Sequence, residues 1–329
     1  SGVKCTSKSH KKYKYSCRLI AILLTALLML TGCGTGSYRM KYSLSSYESG
    51  SSTQMVDTFA SDLCVADSNI SDSSISLSQA SCAGLFDLNN KKTLYAFNVN
   101  QQVNPASLTK VMTALVALKY GKLDQVLTAS SDVYISESGA QLIGLKEGDQ
   151  MTLDQALHLL LIYSANDVAV MIAENIGGSM DAFIKMMNEE AVSIGATGSH
   201  FANPHGLTAD DHYVTPYDMY LMFNAAMQYD EFQQIINTAT YTTQYTDKSG
   251  TAVDVNIHST NLYIKGDKDA PTNITVIGGK TGTTNAAGHC LILLAKDKSG
   301  NPYIAVVMRA EDSDTLYNEM TSLLDKIVN

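Results

Sequence analysis

The apolar positions of this 329-residue chain change their rhythm several times. Residues 19–31 form an almost unbroken hydrophobic run. As a helix it would measure roughly 20 Å, short of the ~30 Å that a membrane-spanning helix must cover. Residues 34–79 are rich in Ser, Thr, Gly and Asp, with only scattered apolar side chains. Such a stretch buries too little apolar surface to offset the entropy of ordering it, and reads as a flexible tether. Ordered structure is expected from about residue 80. There, 80–87 and 92–97 read as strands joined by the turn-prone Asn89-Asn90-Lys91. Pro105 is placed to open a helix running to about Tyr120, with Val111, Met112, Leu115, Val116 and Leu118 on its apolar side. Further helices are predicted over 153–176, almost wholly apolar and therefore buried, over 181–194, and in shorter form over 216–227 and 231–236. The period then drops to two. Residues 290–295 and 303–308 read as strands around the turn Lys298-Ser299-Gly300-Asn301, and 315–328 as an amphipathic closing helix.

Strands at both ends of the ordered region, with helices between them, predict an α/β (α+β) body. One sheet is assembled from distant segments, a helical lobe is inserted, and a cleft lies between the two lobes.

Charge refines the reading of the N-terminal part. Lys4, Lys8, Lys11, Lys12, Lys14 and Arg18 precede the apolar run with no acidic residue among them. A basic segment followed by a short apolar one is the pattern of an export signal, assigned here to residues 1–32. Its ending, Leu30-Thr31-Gly32-Cys33, resembles a bacterial lipobox, in which the cysteine is lipidated and becomes the first residue of the mature protein. The expectation is an extracytoplasmic protein held on the outer face of the bacterial cell membrane by a lipid on Cys33, with a tether over 33–79 and a folded domain over 80–329. Without the basic segment the chain keeps 17 basic against 32 acidic residues, which disfavours nucleic acid as a partner. If Cys5 and Cys17 leave with the signal, Cys64, Cys82 and Cys290 remain. An odd number leaves room for one disulfide, nothing in the spacing demands it, and small buried side chains are the simpler expectation.

Three short motifs carry the chemistry: Ser107-Leu108-Thr109-Lys110, Ser164-Ala165-Asn166 and Lys280-Thr281-Gly282. Ser-x-x-Lys recurs at Ser9, and Ser-x-Asn recurs at Ser259 and Ser299, so each pattern alone is weak. Context strengthens them. Ser107 falls in the first turn of a predicted helix, whose positive end favours an alkoxide, and Lys110 lies one turn later on the same face. A lysine activates a serine only when neutral, and burial together with a second cation, here Lys280, would keep it so. Ser164, at the end of a buried helix or in the turn after it, is placed to relay a proton to a leaving amine. Lys280-Thr281-Gly282-Thr283 suits an edge strand on which Gly282 lets a ligand backbone approach. The Thr283 and Ser107 N–H groups would form an oxyanion hole, and Lys280, Thr281 and Thr283 would hold a terminal carboxylate.

These motifs resemble those of the penicillin-interacting serine enzymes. Pro-Ala-Ser-Leu-Thr-Lys at 105–110, Asn-Pro-His-Gly-Leu at 203–207, His212-Tyr213, Thr215-x-Tyr217-Asp218-Met219 and Lys-Thr-Gly-x-Thr-x-x-Ala-Gly at 280–288 are similar to the D-alanyl-D-alanine carboxypeptidase family of low-molecular-weight penicillin-binding proteins. The resemblance spans about residues 80–329. It implies a β-lactamase/transpeptidase-like fold, with a central antiparallel sheet flanked by helices and an inserted all-helical lobe. It also implies Ser107 as acylated nucleophile, Lys110 as general base, Ser164 as proton shuttle, Asn166 as the group positioning substrate and shuttle, and Lys280, Thr281 and Thr283 as carboxylate binders. The implied partners are a peptidoglycan stem peptide ending in D-Ala-D-Ala and β-lactam antibiotics, with no cofactor. Two features depart from the pattern. Ala165 stands where many relatives carry Gly, and the extra C-terminal β-domain and amphipathic anchor of some members do not follow the closing helix, so that the lipid on Cys33 would replace the anchor.

Three alternatives stay open at this stage. A class A β-lactamase would need a deacylating Glu-x-x-Leu-Asn, which is lacking between Ile194 and Gln228. An endopeptidase acting on cross-links carries the same motifs, and a non-catalytic wall-binding lipoprotein would retain the fold alone. His200, His205 and His212 have no metal-site spacing, so no metal is expected, and His205 with Asn203 is read as bracing a loop.

Overall fold

The computed structural model describes residues 61–79 and 81–328. The expected signal segment, Cys33 and the first part of the expected tether lie outside the described residues.

The chain forms β1 (Cys82–Asp87) and β2 (Lys92–Phe97), then α1 (Thr109–Tyr120) and two short strands, β3 (Val126–Thr128) and β4 (Gln150–Thr152). Helices α2 (Leu153–His158), α3 (Asn166–Gly177), α4 (Met180–Ser193), α5 (Pro216–Ala226) and α6 (Asp230–Ile236) follow. A hairpin, β5 (Thr240–Thr246) and β6 (Ala252–His258), and the short α7 (Leu262–Lys265) lead into β7 (Ile274–Thr284), β8 (Gly288–Asp297), β9 (Pro302–Ala310) and α8 (Ser313–Asp325).

Side-chain alternation explains how the main sheet is sandwiched. It is antiparallel, in the order β2-β1-β9-β8-β7, so the first described strand meets the last where β1 pairs with β9. Along β8, Leu291, Leu293 and Ala295 face one way, onto Leu316, Met320 and Leu323 of α8. Cys290, Ile292 and Leu294 face the other way and join the core built with α1, α3 and α5. Burial on both faces is why these strands read as near-continuous hydrophobic runs. β7 is left on the edge beside the helical lobe.

Local chemistry sets the helix starts. Thr152 and Gln155 form a reciprocal capping box on α2, and Thr215 caps α5, which has Pro at its start. Asp312 caps α8 by accepting from the Thr315 N–H at 2.7 Å.

The structure departs from the sequence expectations in three places. The helix expected over 153–176 is broken: Leu159–Tyr163 widen into a π turn, and Ser164 adopts a left-handed conformation (φ 68°, ψ 37°) before α3 begins. The lobe between β2 and β7 is mostly helical but carries a second sheet, β3-β4-β5-β6. The ordered body also begins upstream of residue 80. Ile70 exchanges backbone hydrogen bonds with Ala96 on β2. Cys64 is buried, its N–H bonded to the Tyr220 hydroxyl and its carbonyl to that of Tyr217. Glu319 of α8 accepts from the Ser78 N–H at 2.7 Å and the Ser81 hydroxyl at 2.8 Å, and Lys326 pairs with Asp72. Residues 61–79 are therefore a strap packed across the sheet and α8. Cys64, Cys82 and Cys290 are all free and buried. Among the described residues no helix is long and apolar enough to cross a membrane.

Candidate active site

The site begins with a backbone that the sequence cannot adopt cheaply. Ala106 sits at φ 48°, a left-handed conformation for a residue with a Cβ, and opens the single 3-10 turn Ala106–Leu108 that precedes α1. Two glycines allow the turn to be clasped from both sides. A Cβ on Gly206 (φ 93°) would lie 1.8 Å from the Ala106 carbonyl oxygen, and a Cβ on Gly282 would lie 2.8 Å from the Ser107 nitrogen. The missing side chain of Gly282 thus makes room for the turn carrying Ser107, in addition to the approach of a ligand backbone expected there.

Lys110, one turn after Ser107 and at the start of α1, is completely buried, and its Nζ lies 2.7 Å from each of three oxygens: Ser107 Oγ, Asn166 Oδ1 and the His205 carbonyl. Two of these oxygens can only accept. A neutral amine has two N–H bonds for them and one lone pair, which is left facing the Ser107 hydroxyl. Burial and the positive charge of Lys280 both push the Lys110 pKa well below that of a free lysine, while the buried Asp167 carboxylate pulls weakly the other way. Lys280, 1% exposed, is held down to about 7 by burial. Its Nζ donates to the Thr281 carbonyl at 2.8 Å and lies 2.9 Å from Ser164 Oγ. The left-handed backbone at Ser164 turns that hydroxyl out of the helix and onto Lys280.

Ser107, Lys110, Ser164, Asn166, Lys280, Thr281, Gly282 and Thr283 thus converge on one cleft of about 780 Å³, its floor formed by the edge strand β7. Thr281 points its hydroxyl at that of Thr260, 2.5 Å away, and Thr283 Oγ1 lies 3.3 Å from His289 Nδ1.

Several supporting residues were not anticipated, because their contacts join segments far apart in the chain. Asp167, next to Asn166 on α3, accepts from the N–H groups of Ile143, Gly144 and Leu145. The Asn166 N–H donates to the Gln141 carbonyl, so one helix start fixes both the 137–145 loop and the amide on Lys110. The 203–207 segment is braced as expected: Asn203 Oδ1 accepts from Gly206 N at 2.7 Å, and His205 Nδ1 accepts from Leu207 N at 3.1 Å. His212 accepts at Nδ1 from Ala202 N, so its Nε2–H donates to Thr109 Oγ1 at 2.8 Å. Burial lowers the pKa of His205 to about 3 and of His212 to about 4. His200 Nδ1 turns elsewhere, to the Asp211 carbonyl. The three histidines occupy separate places, and among the described residues no group of His, Cys, Asp or Glu is arranged to hold a metal ion.

Comparison with known proteins agrees with this architecture. The family model for D-alanyl-D-alanine carboxypeptidases matches residues 70–312, which includes part of the strap. The chain is 34% identical to the D-alanyl-D-alanine carboxypeptidase DacF of Bacillus subtilis over 251 residues, 75% of this chain and 61% of that protein. It is 32% identical to DacD of Escherichia coli over 250 residues, 73% of this chain and again 61% of the relative. It therefore spans about three-fifths of the length of these relatives. Among solved structures, the DD-transpeptidase of Streptomyces K15 superposes with a TM-score of 0.67 at 25% identity, covering 74% of this chain and 94% of that one.

Proposed function

The chain belongs to the D-alanyl-D-alanine carboxypeptidase family, and from that premise we propose that it is a serine DD-peptidase. It removes the terminal D-alanine of peptidoglycan stem peptides through an acyl-enzyme on Ser107. The observation that carries this reading is the placement of Lys110 Nζ, 2.7 Å from Ser107 Oγ and held there by two acceptor-only oxygens, Asn166 Oδ1 and the His205 carbonyl.

In the acylation step Lys110 takes the Ser107 proton as Oγ attacks the carbonyl carbon of the penultimate D-alanine. The Ser107 and Thr283 N–H groups stabilise the oxyanion. Lys280, Thr281 and Thr283 hold the terminal carboxylate, and Asn166 orients both the substrate and Lys110. As the tetrahedral intermediate collapses, Ser164 gives its proton to the leaving amine and is reprotonated by the one Lys110 took from Ser107, relayed through Lys280 beside it. Water then attacks the ester, its proton passing to Lys110, and as the acyl C–O bond breaks Lys110 returns that proton to Ser107 Oγ.

A β-lactam ring opens on Ser107 in the same way, and with no deacylating glutamate in the 194–228 segment the adduct persists. We place the enzyme outside the cell membrane, tethered by a lipid on Cys33.

The test uses a fluorescent penicillin and a peptide ending in D-Ala-D-Ala. Labelling of the protein, its loss in Ser107→Ala and release of free D-alanine are expected. Labelling that survives Ser107→Ala removes the nucleophile from the scheme, and labelling without D-alanine release favours an endopeptidase or a binding role. Metabolic labelling with a palmitate analogue, lost in Cys33→Ala, tests the anchor.

A further inference from the structure

The cleft wall is charged unevenly. Around the Ser107 hydroxyl it is lined by hydroxyls, amides, backbone and a few apolar groups. The lysines lie behind this surface, where Lys280 is buried beside Ser164 and Thr281. Among the described cleft-lining residues the only carboxylate is Glu137, exposed on the 137–141 turn.

That carboxylate sits on a fixed platform. Glu137 begins a tight turn in which its carbonyl accepts from the Ala140 N–H at 3.2 Å and Gly139 takes φ 81°. The next residues are tied to α3 by the Gln141 carbonyl on Asn166 N–H, and by the Asp167 carboxylate on the Gly144 and Leu145 N–H groups at 2.9 and 3.0 Å. The helix start that orients Asn166 therefore also holds the turn carrying Glu137.

The direction of the substrate decides what Glu137 meets. Under the proposed function, on which this inference rests, the terminal carboxylate and the leaving amine lie on the Lys280, Ser164 and Thr281 side. The acyl part must then run the other way, between the end of β7 at Thr284 and Asn285 and the 137–141 turn. A carboxylate there repels an acidic chain and attracts a cation.

We infer that Glu137 is a specificity residue: it pairs with a side-chain ammonium on the residue preceding the acyl D-alanine. The substrate class is then a peptide with an anionic C-terminus and a cationic side chain upstream, read by the two ends of one cleft.

The experiment compares two peptides of sequence Lys-D-Ala-D-Ala, both blocked at the α-amine, one with a free and one with an acetylated ε-amine. The free-amine peptide is expected to have the larger kcat/KM by roughly three- to five-fold, the upper end of what an exposed ion pair supplies. In Glu137→Gln the ratio is expected to fall to about one, and in Glu137→Lys below one. Equal values in the native enzyme, or a preference that survives Glu137→Gln, would overturn the assignment. The same pair of peptides competing against a fluorescent penicillin reads the preference without any turnover. A protein that releases no D-alanine, which defeats the carboxypeptidase reading, therefore still shows by this competition whether Glu137 selects the free amine.

Discussion

At the scale of single residues, Lys110 and Lys280 lie buried behind the cleft surface, and burial lowers the proton affinity of both. Their proposed tasks need opposite charge states. Lys110 works as a base when neutral, whereas Lys280 faces a carboxylate best when protonated. The kcat/KM of a peptide with a free terminal carboxylate should rise through an acid limb as Lys110 loses its proton, and fall as pH passes about 7, where Lys280 loses its own. An ester substrate without the carboxylate should keep only the acid limb. Profiles of both substrates between pH 5 and 10 check this, and two limbs for the ester would contradict the assignment of Lys280. Stability carries the matching signature. The Lys280 pKa is depressed in the folded state, so its contribution is complete above the free-lysine pKa of 10.5 and is lost as pH falls to about 7. Steric reasoning yields a second expectation. In Gly282→Ala the new methyl meets the Ser107 nitrogen at 2.8 Å, and the nucleophile must move. Penicillin acylation should slow by about 100-fold with the fold retained, because misplacement by about an ångström has that effect.

At the scale of elements, the site depends on two loops that bond to the helices carrying the motifs. His212 joins one of them to α1 through Thr109, and its pKa of about 4 lies below the ordinary 6.5. A depressed histidine contributes stability that is whole above pH 6.5 and is lost as pH falls towards the folded value. Between pH 6.5 and 5 the loss should approach about 2 kcal/mol. Denaturant unfolding at the two pH values should show it, and His212→Asn should remove this share of the difference while that of the depressed His205 remains. For the other loop, Asp167→Asn removes the carboxylate that gathers the Gly144 and Leu145 N–H groups and opposes the lowering of the Lys110 pKa. Acylation should weaken, and its acid limb should move to lower pH.

The elements legible in the sequence were those with a clear period. β1, β8 and β9 bury both faces, α5 begins at a proline and α1 follows Pro105 by one 3-10 turn, and the three motifs are short and local. The break at Ser164 was hidden because apolar residues continue on both sides of it, and a left-handed serine has no sequence mark. The β5–β6 hairpin was missed because both strands are lightly buried and β5, Thr-Tyr-Thr-Thr-Gln-Tyr-Thr, is mostly polar, although β6, Ala-Val-Asp-Val-Asn-Ile-His, alternates apolar and polar residues as a strand does. Asp167 and the pairing of Thr109 with His212 escaped notice because the partners lie 22 to 103 residues apart in the chain.

At the scale of the whole molecule, the strap changes where the stable body starts. Its Ser-rich composition resembles that of a linker, yet Ile75 is only 8% exposed and packs in the core beneath α8. Ile75→Ala should cost about 2 kcal/mol, the low end for such a truncation, read as a lower denaturant midpoint with unchanged slope. A surface tether would show no change. The free cysteines have a different consequence. Burial raises the Cys82 thiol to about 11 and the Cys290 thiol to about 12, and raises that of Cys64 as well. At neutral pH these sulfurs stay protonated and shielded, so an oxidising exterior finds no thiolate to attack. A thiol-selective dye gains entry only when the protein opens. Its incorporation at these positions acts as a clock for that opening, and a covalently bound β-lactam should make the clock run slower.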